Sequence, residues 1–212
     1  MRPCAYGSIS RATSLSLASG EIFDSPDEVG NLIDYWSAGV MQILYDYQGV
    51  FDKMVGDCVI GLFGTPFDDD ADALKLCHAV QAALAIQAYT ADLTGSVVDK
   101  VRRSDLIPGF GVATAVNFGS VMVGTFGPNH AFTAFGREMN NTARLQGVAS
   151  FQEVLVMESA YQILVENSQN LAPDLAQDLA QNLFKTWQWS DRLEARVKNV
   201  KDPLCFRRIS RN

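Results

Sequence analysis

Histidine and cysteine are scarce in this sequence. It has two histidines, His78 and His130, and four cysteines, Cys4, Cys58, Cys77 and Cys205, with no CxxC pair. A zinc cluster or a disulfide framework is therefore not expected. Cys58 and Cys77 lie in apolar runs, where a free thiol acts as a small hydrophobe; this suits a reducing, cytoplasmic setting. There is no GxSxG elbow, and "GFGVAT" lacks the Lys and the spacing of a phosphate-cradling loop. No apolar run approaches the roughly 20 residues that span a bilayer, and the N-terminus lacks a signal-peptide pattern, so a soluble segment without membrane contact is expected. Positive charge is short as well. Seventeen Lys and Arg face 24 Asp and Glu, a net charge of −7. That balance argues against nucleic-acid partners, including an RNA-binding ferredoxin-like sheet, which needs a basic face and exposed aromatics.

What is present is an ordinary globular composition, 48% hydrophobic and 19% charged over 212 residues, enough for a real core. "CAYGSIS" reads as a strand. Ser25, Pro26 and Glu28 then form the start signals of a helix, with Val29, Leu32, Ile33, Trp36, Val40 and Leu44 on one face and Gly49 at its end. Val50–Met54 and Cys58–Phe63 read as a hairpin around Val55-Gly56-Asp57. A second helix is expected over Asp69–Ala91, its acidic start complementing the helix dipole. Two strands follow around a turn at Asn117-Phe118-Gly119, then a short strand at "AFTAFG", a helix over Arg137–Gln146, the strand "VLVM" and the helix "ESAYQILVEN". Leu171, Leu175, Leu179 and Leu183 make a stripe after Pro173 that predicts a helix, with Trp187 and Trp189 packing it; "PLCFRRIS" closes the chain as a strand. No Gly/Pro/Ser linker divides these elements. The pattern predicts one α+β domain over 1–212 with a mostly antiparallel sheet flanked by helices and a helical insertion near 170–189.

One stretch breaks the apolar pattern. "VFDKMVGDCVIGLFG" carries Lys53 and Asp57 inside an otherwise buried hairpin. With the helix "ADALKLCHAVQAALAIQ", with "GFGVATAVNFGSVMVGTFGPNHAFTAFGREMNNTARLQGVA", and with "VLVMESAYQIL" and "VKNVKDPLCFRRI", it resembles the class III nucleotidyl cyclases. The blocks run in the family's order along nearly the whole chain. The resemblance implies a ferredoxin-like cyclase fold. It also implies a reaction in which the ribose 3′-hydroxyl of a nucleoside triphosphate attacks its own α-phosphate and expels pyrophosphate. Mg2+ or Mn2+ ions would sit on two carboxylates brought together for the purpose.

Residue by residue, the resemblance implies that Asp57 is one metal ligand, with Gly56 allowing the turn. Lys53 would meet the adenine edge in the partner's site, and Thr133 takes the position that carries Asp or Thr in adenylate cyclases; together they point to ATP. Asn140 and Arg144, i and i+4 on one helical face, would orient the ribose and stabilise charge on the phosphate. Lys198 would reach the triphosphate. The first strand departs from the pattern: Ser8 stands where the first metal Asp belongs, the Ile9 backbone carbonyl remains as a ligand, and Arg11 and Ala12 replace the usual Gly-Phe. Three readings follow from this departure. The chain is an adenylate cyclase making cyclic AMP as a homodimer with lowered or manganese-dependent activity. Or it is an inactive pseudo-cyclase that binds nucleotide or dimerises as a regulatory module. Or it is one half of a heterodimer whose complementary cyclase chain supplies both acids. The family also implies an upstream sensor. The acids at 68–70 are read as helix-dipole partners.

Overall fold

The computed structural model describes residues 3–11, 25–64, 71–100, 111–126, 128–169, 175–198 and 200–211. Its order is β1 (Pro3–Arg11), α1 (Pro26–Asp46), β2 (Gly49–Val55), β3 (Cys58–Phe63), α2 (Asp72–Lys100), β4 (Ala113–Ser120), β5 (Met122–Phe126), β6 (Ala131–Phe135), α3 (Arg137–Gln146), β7 (Val154–Met157), α4 (Glu158–Ser168), α5 (Leu175–Thr186), β8 (Trp187–Trp189), β9 (Leu193–Ala195) and β10 (Leu204–Arg211).

The main sheet has the order β2-β3-β1-β4-β7-β10-β8, with β9 also on β10, and β5 pairs with β6 as a separate hairpin. The β4–β7 pair is parallel; the other pairs are antiparallel. Within it, β1-α1-β2-β3-α2-β4 in the spatial order β2-β3-β1-β4 is a ferredoxin-like split βαβ unit. The expected mixed, mostly antiparallel α+β architecture is present.

Strand alternation decides which side each element covers. Val59 and Phe63 of β3, Val116 of β4, and Val154 and Val156 of β7 join α1, α2, α4 and α5 in the larger core. The intervening residues point the other way. Leu62 meets Val121 and Ala134 beside the β5–β6 hairpin, while Ala115 and Leu155 meet Leu145 of α3. The four longer-packed helices thus cover one face, and α3 with the small hairpin covers part of the other.

Ser25 caps α1 through the Glu28 N–H at 3.4 Å, and Trp36, Val40 and Leu44 are fully buried from it. The helix reaches the sheet closely because Gly61 has no side chain: a Cβ there would lie 2.6 Å from Leu44 Cδ2. Four sequence expectations need correction. The helix ends at Asp46, and Gln48 rather than Gly49 takes the left-handed conformation, at φ 62°. α2 continues beyond Ala91 to Lys100 and is described from Asp72, so its expected start at Asp69 and the acids at 68–70 lie outside the described residues. The turn at Asn117-Phe118-Gly119 does not form. β4 runs through it to Ser120, and β5 pairs with β6 instead. The short strands β8 and β9 were not expected at all.

α5 confirms a helix after Pro173, with Leu183 buried and Leu179 packed against the core; Leu171 lies outside the described residues. Trp189 joins Tyr161 and Phe184 in a tilted aromatic cluster, with centroids 5.0 and 5.3 Å from it. Arg207 closes that cluster, stacked 4.1 Å above Tyr161 and forked onto the Glu158 carboxylate at 3.0 and 3.1 Å. Among the described residues no helix is long and apolar enough to cross a membrane.

Candidate active site

The charged hairpin forms one edge of the main sheet, with α1 and α2 packed on one of its faces. β2 and β3 keep a regular register except between Phe51 and Lys53, where β2 carries one extra residue. Phe51 and Met54, on either side of the bulge, pack toward the helical core. Lys53 pairs with Ile60 and turns the other way, where its Nζ donates to Thr133 Oγ1 on β6 and stands 5.5 Å above the Phe135 ring. The two positions that the resemblance assigns to base reading, 80 apart in the chain, therefore meet in one hydrogen bond. Thr133 is buried while Lys53 keeps 35% of its side chain exposed, so the ammonium sits at the surface of the site.

α3 supplies the second group. Asn140 is exposed and Arg144 half-buried one turn further on, on the same helical face. The helix is fixed from beneath by Asn117, whose fully buried side chain donates to the Glu138 carbonyl at 3.3 Å and to Glu138 Oε2 at 3.0 Å. Asn117 Oδ1 also accepts from the Phe118 N–H at 2.8 Å. At the other end, Gln146 Nε2 donates to the Ala113 carbonyl at 3.3 Å. Both anchors belong to or adjoin β4, so Asn140 and Arg144 are carried by a helix tied to the central sheet. Sequence reasoning missed Asn117, placing it in a turn. The available signal was an amide in the middle of an apolar, β-prone run, which in a buried strand must find partners.

The remaining positions lie along β1 and the loops. Asp57 is half-buried in the β2–β3 turn, next to Gly56 at φ 61°. β1 runs beside that turn: Arg11 pairs with Cys58, and Ile9 pairs with Ile60. Ser8 lies within an irregularity between Tyr6 and Ile9 that breaks the register of β1 with both β3 and β4. Backbone topology thus brings Asp57, Ser8 and Ile9 to neighbouring strands at one end of the sheet. Lys198 is exposed in the segment between β9 and β10, and among the described residues no hydrogen bond or ion pair joins it to the other candidates.

Residues 13–178 match the family model of the adenylate and guanylate cyclase catalytic domain. The chain belongs to this family. Among solved structures, the cyclase domain is similar to the adenylyl cyclase CyaB from P. aeruginosa, at 20% identity and a TM-score of 0.77 over 100% of this chain and 96% of that one. It is similar to the guanylyl cyclase Cya2 at 19% identity and a TM-score of 0.75, covering 98% and 91%. The guanylate cyclase domain of RhGC from Catenaria anguillulae, in complex with GTP, superposes at a TM-score of 0.70 and 16% identity, covering all of both chains. No curated protein matches the chain by sequence. These likenesses establish the class III cyclase fold, and they include enzymes named for either nucleotide.

Cyclase domains of this class use divalent metals, and the donors of this cyclase domain can be tested against that need. Hard cations want several anionic oxygens. Asp57 provides one carboxylate, the residue at the second acidic position is Ser8, and no group of three or more His, Cys, Asp or Glu side chains converges among the described residues. This set falls short of a two-ion site within one chain.

Proposed function

We propose that this cytoplasmic cyclase domain converts ATP to cyclic AMP and pyrophosphate at the interface of a dimer, with the full chain acting as one catalytic-type domain and 170–189 as an inserted element. The observation that carries the reading is the Lys53–Thr133 hydrogen bond. A cationic donor beside a hydroxyl presents the complement of an adenine edge, which offers a ring-nitrogen acceptor and an amino donor. Guanine presents a ring N–H where adenine has that acceptor, so an ammonium there is mismatched. A site built to satisfy one pattern rejects the other by leaving polar groups unpaired.

In the reaction, the 3′-hydroxyl gives its proton to solvent and its oxygen bonds to the α-phosphorus, while the bond from that phosphorus to the bridging oxygen breaks and pyrophosphate leaves. Asn140 holds the ribose so that this oxygen is in line. Arg144 places a guanidinium against the phosphate oxygens as charge builds on them, and Lys198 meets the triphosphate. Mg2+ or Mn2+ is the expected cofactor; Asp57 and the Ile9 carbonyl would hold it, with Ser8 at the second acidic position, and it would supply positive charge to the 3′-oxygen and the phosphates. Exposed apolar side chains near the Lys53–Thr133 pair, Val55, Met122, Phe132 and Phe135, support a covered face and hence a dimer.

A second reading rests on Ser8. With one acid missing, the chain serves as a non-catalytic nucleotide-binding or dimerisation module, or as the half of a heterodimer that supplies Lys53, Thr133, Asn140 and Arg144. Cyclic AMP production by the purified domain with ATP and Mn2+, beside Ser8→Asp, separates these readings. We expect wild type to form cyclic AMP in preference to cyclic GMP and Ser8→Asp to be faster by about tenfold or more. A silent wild type with an active Ser8→Asp would favour the heterodimer, and silence from both the non-catalytic module.

A further inference from the structure

The β2 bulge does more than turn Lys53 outward. In a regular strand, neighbours point to opposite faces. Here Phe51 and Met54 both face the helical core, and the extra residue leaves Asp52 together with Lys53 opposite Ile60. Two consecutive charges are thereby delivered to one side of the sheet. The Asp52 side chain is 0% exposed, against 35% for Lys53, and neither of its carboxylate oxygens has a hydrogen-bond partner. What it has is the Lys53 ammonium, 3.3 Å from Oδ2, close enough for an ion pair though not aligned as a hydrogen bond. A buried carboxylate is costly unless compensated, so Asp52 binds the ammonium more strongly than a surface acid would. Lys53 is consequently held on three sides, by Asp52 from below, by Thr133 and by the Phe135 ring.

We infer that Asp52 is a positioning residue for base selection: it fixes the Lys53 nitrogen beside Thr133, so that its remaining donor faces the purine. This rests on the adenine-reading role proposed for Lys53 and Thr133. A lysine has four rotatable side-chain bonds and a point charge. Left alone, its ammonium would sample many positions and would discriminate weakly between a purine acceptor and a purine donor. The carboxylate beneath it removes that freedom without itself touching nucleotide.

The test measures binding of α,β-methylene ATP and α,β-methylene GTP, which cannot expel pyrophosphate, so no turnover is needed. Wild type, Asp52→Asn, Asp52→Glu, Lys53→Gln and the double variant Asp52→Asn/Lys53→Gln are compared, each with its melting temperature. We expect wild type to prefer the ATP analogue, and Lys53→Gln and Asp52→Asn each to lose that preference by about tenfold. Asp52→Glu should fall between them and wild type, and the double variant should be no worse than Lys53→Gln alone. If Asp52→Asn keeps the preference that Lys53→Gln loses, Asp52 is not the positioning group, and base reading by Lys53 stands. If wild type shows no preference, or Lys53→Gln leaves it intact, the adenine reading itself fails. Should Asp52→Asn not fold, Asp52→Glu decides, because a carboxylate moved by one methylene must shift the nitrogen; an unchanged preference would overturn the proposal.

Discussion

At the scale of single residues, the weight of the proposed chemistry falls on Arg144. It is half-buried on a helix whose neighbouring Glu138 is engaged by Asn117, so that acid is committed elsewhere. Among the described residues no ion pair engages the Arg144 guanidinium. If it acts on charge that develops only in the transition state, Arg144→Ala should lower kcat about 100- to 1000-fold while changing KM much less. Steady-state kinetics of cyclic AMP formation would read this split. A rise in KM with kcat unchanged would instead assign Arg144 to ground-state binding.

At the scale of elements, α4 and β10 are joined by the forked Arg207–Glu158 pair and by the stacking of Arg207 on Tyr161. Burial raises the Glu158 carboxyl, but the bonds from Arg207 and Gln162 and the Arg207 charge outweigh it, so the group sits below its usual range. A carboxyl depressed in the folded state adds stability above its unfolded value, and that stability is lost as pH falls through the folded value. Glu158→Gln should therefore be less stable than wild type at pH 7 by about 1–3 kcal/mol. The difference should close as the medium is acidified below about pH 4. Urea unfolding of both proteins at the two extremes measures this, and a gap of constant size would show that the pair contributes through packing alone.

At the scale of the whole molecule, the proposed site draws Asp57 from one protomer and Arg144 from the other, so two defective copies should complement. Asp57→Ala and Arg144→Ala homodimers are each expected to be nearly inactive. Mixed in equal amounts and allowed to exchange, half the dimers would be hybrids with one intact site, restoring roughly a quarter of wild-type activity. Cyclic AMP production on mixing reads the result directly. No recovery, with exchange verified, would mean that each site is built within one chain or that the assembly is a heterodimer.

Much of this protein was legible in the sequence because its signals are local. The Ser25 cap and the Trp36, Val40, Leu44 spacing specify α1 within a few turns. Gly56-Asp57 specifies the β2–β3 turn, and the i, i+4 spacing of Asn140 and Arg144 puts them on one face whatever surrounds the helix. The family resemblance carried the roles. What only the tertiary structure decided are matters of register and long-range pairing. Asn117 and Gly119 are turn-forming residues, yet β4 runs straight through them because its edges are held by β1 and its Asn by α3. β8 and β9 are three residues each and exist because β10 offers them a partner. The Asp52–Lys53 bulge is of the same kind: alternation along β2 predicts opposite faces for the two charges, and only the pairing with β3 adds the extra residue that puts both on one. Local sequence sets what a segment prefers, and the free energy of burying a strand in the sheet is large enough to override it.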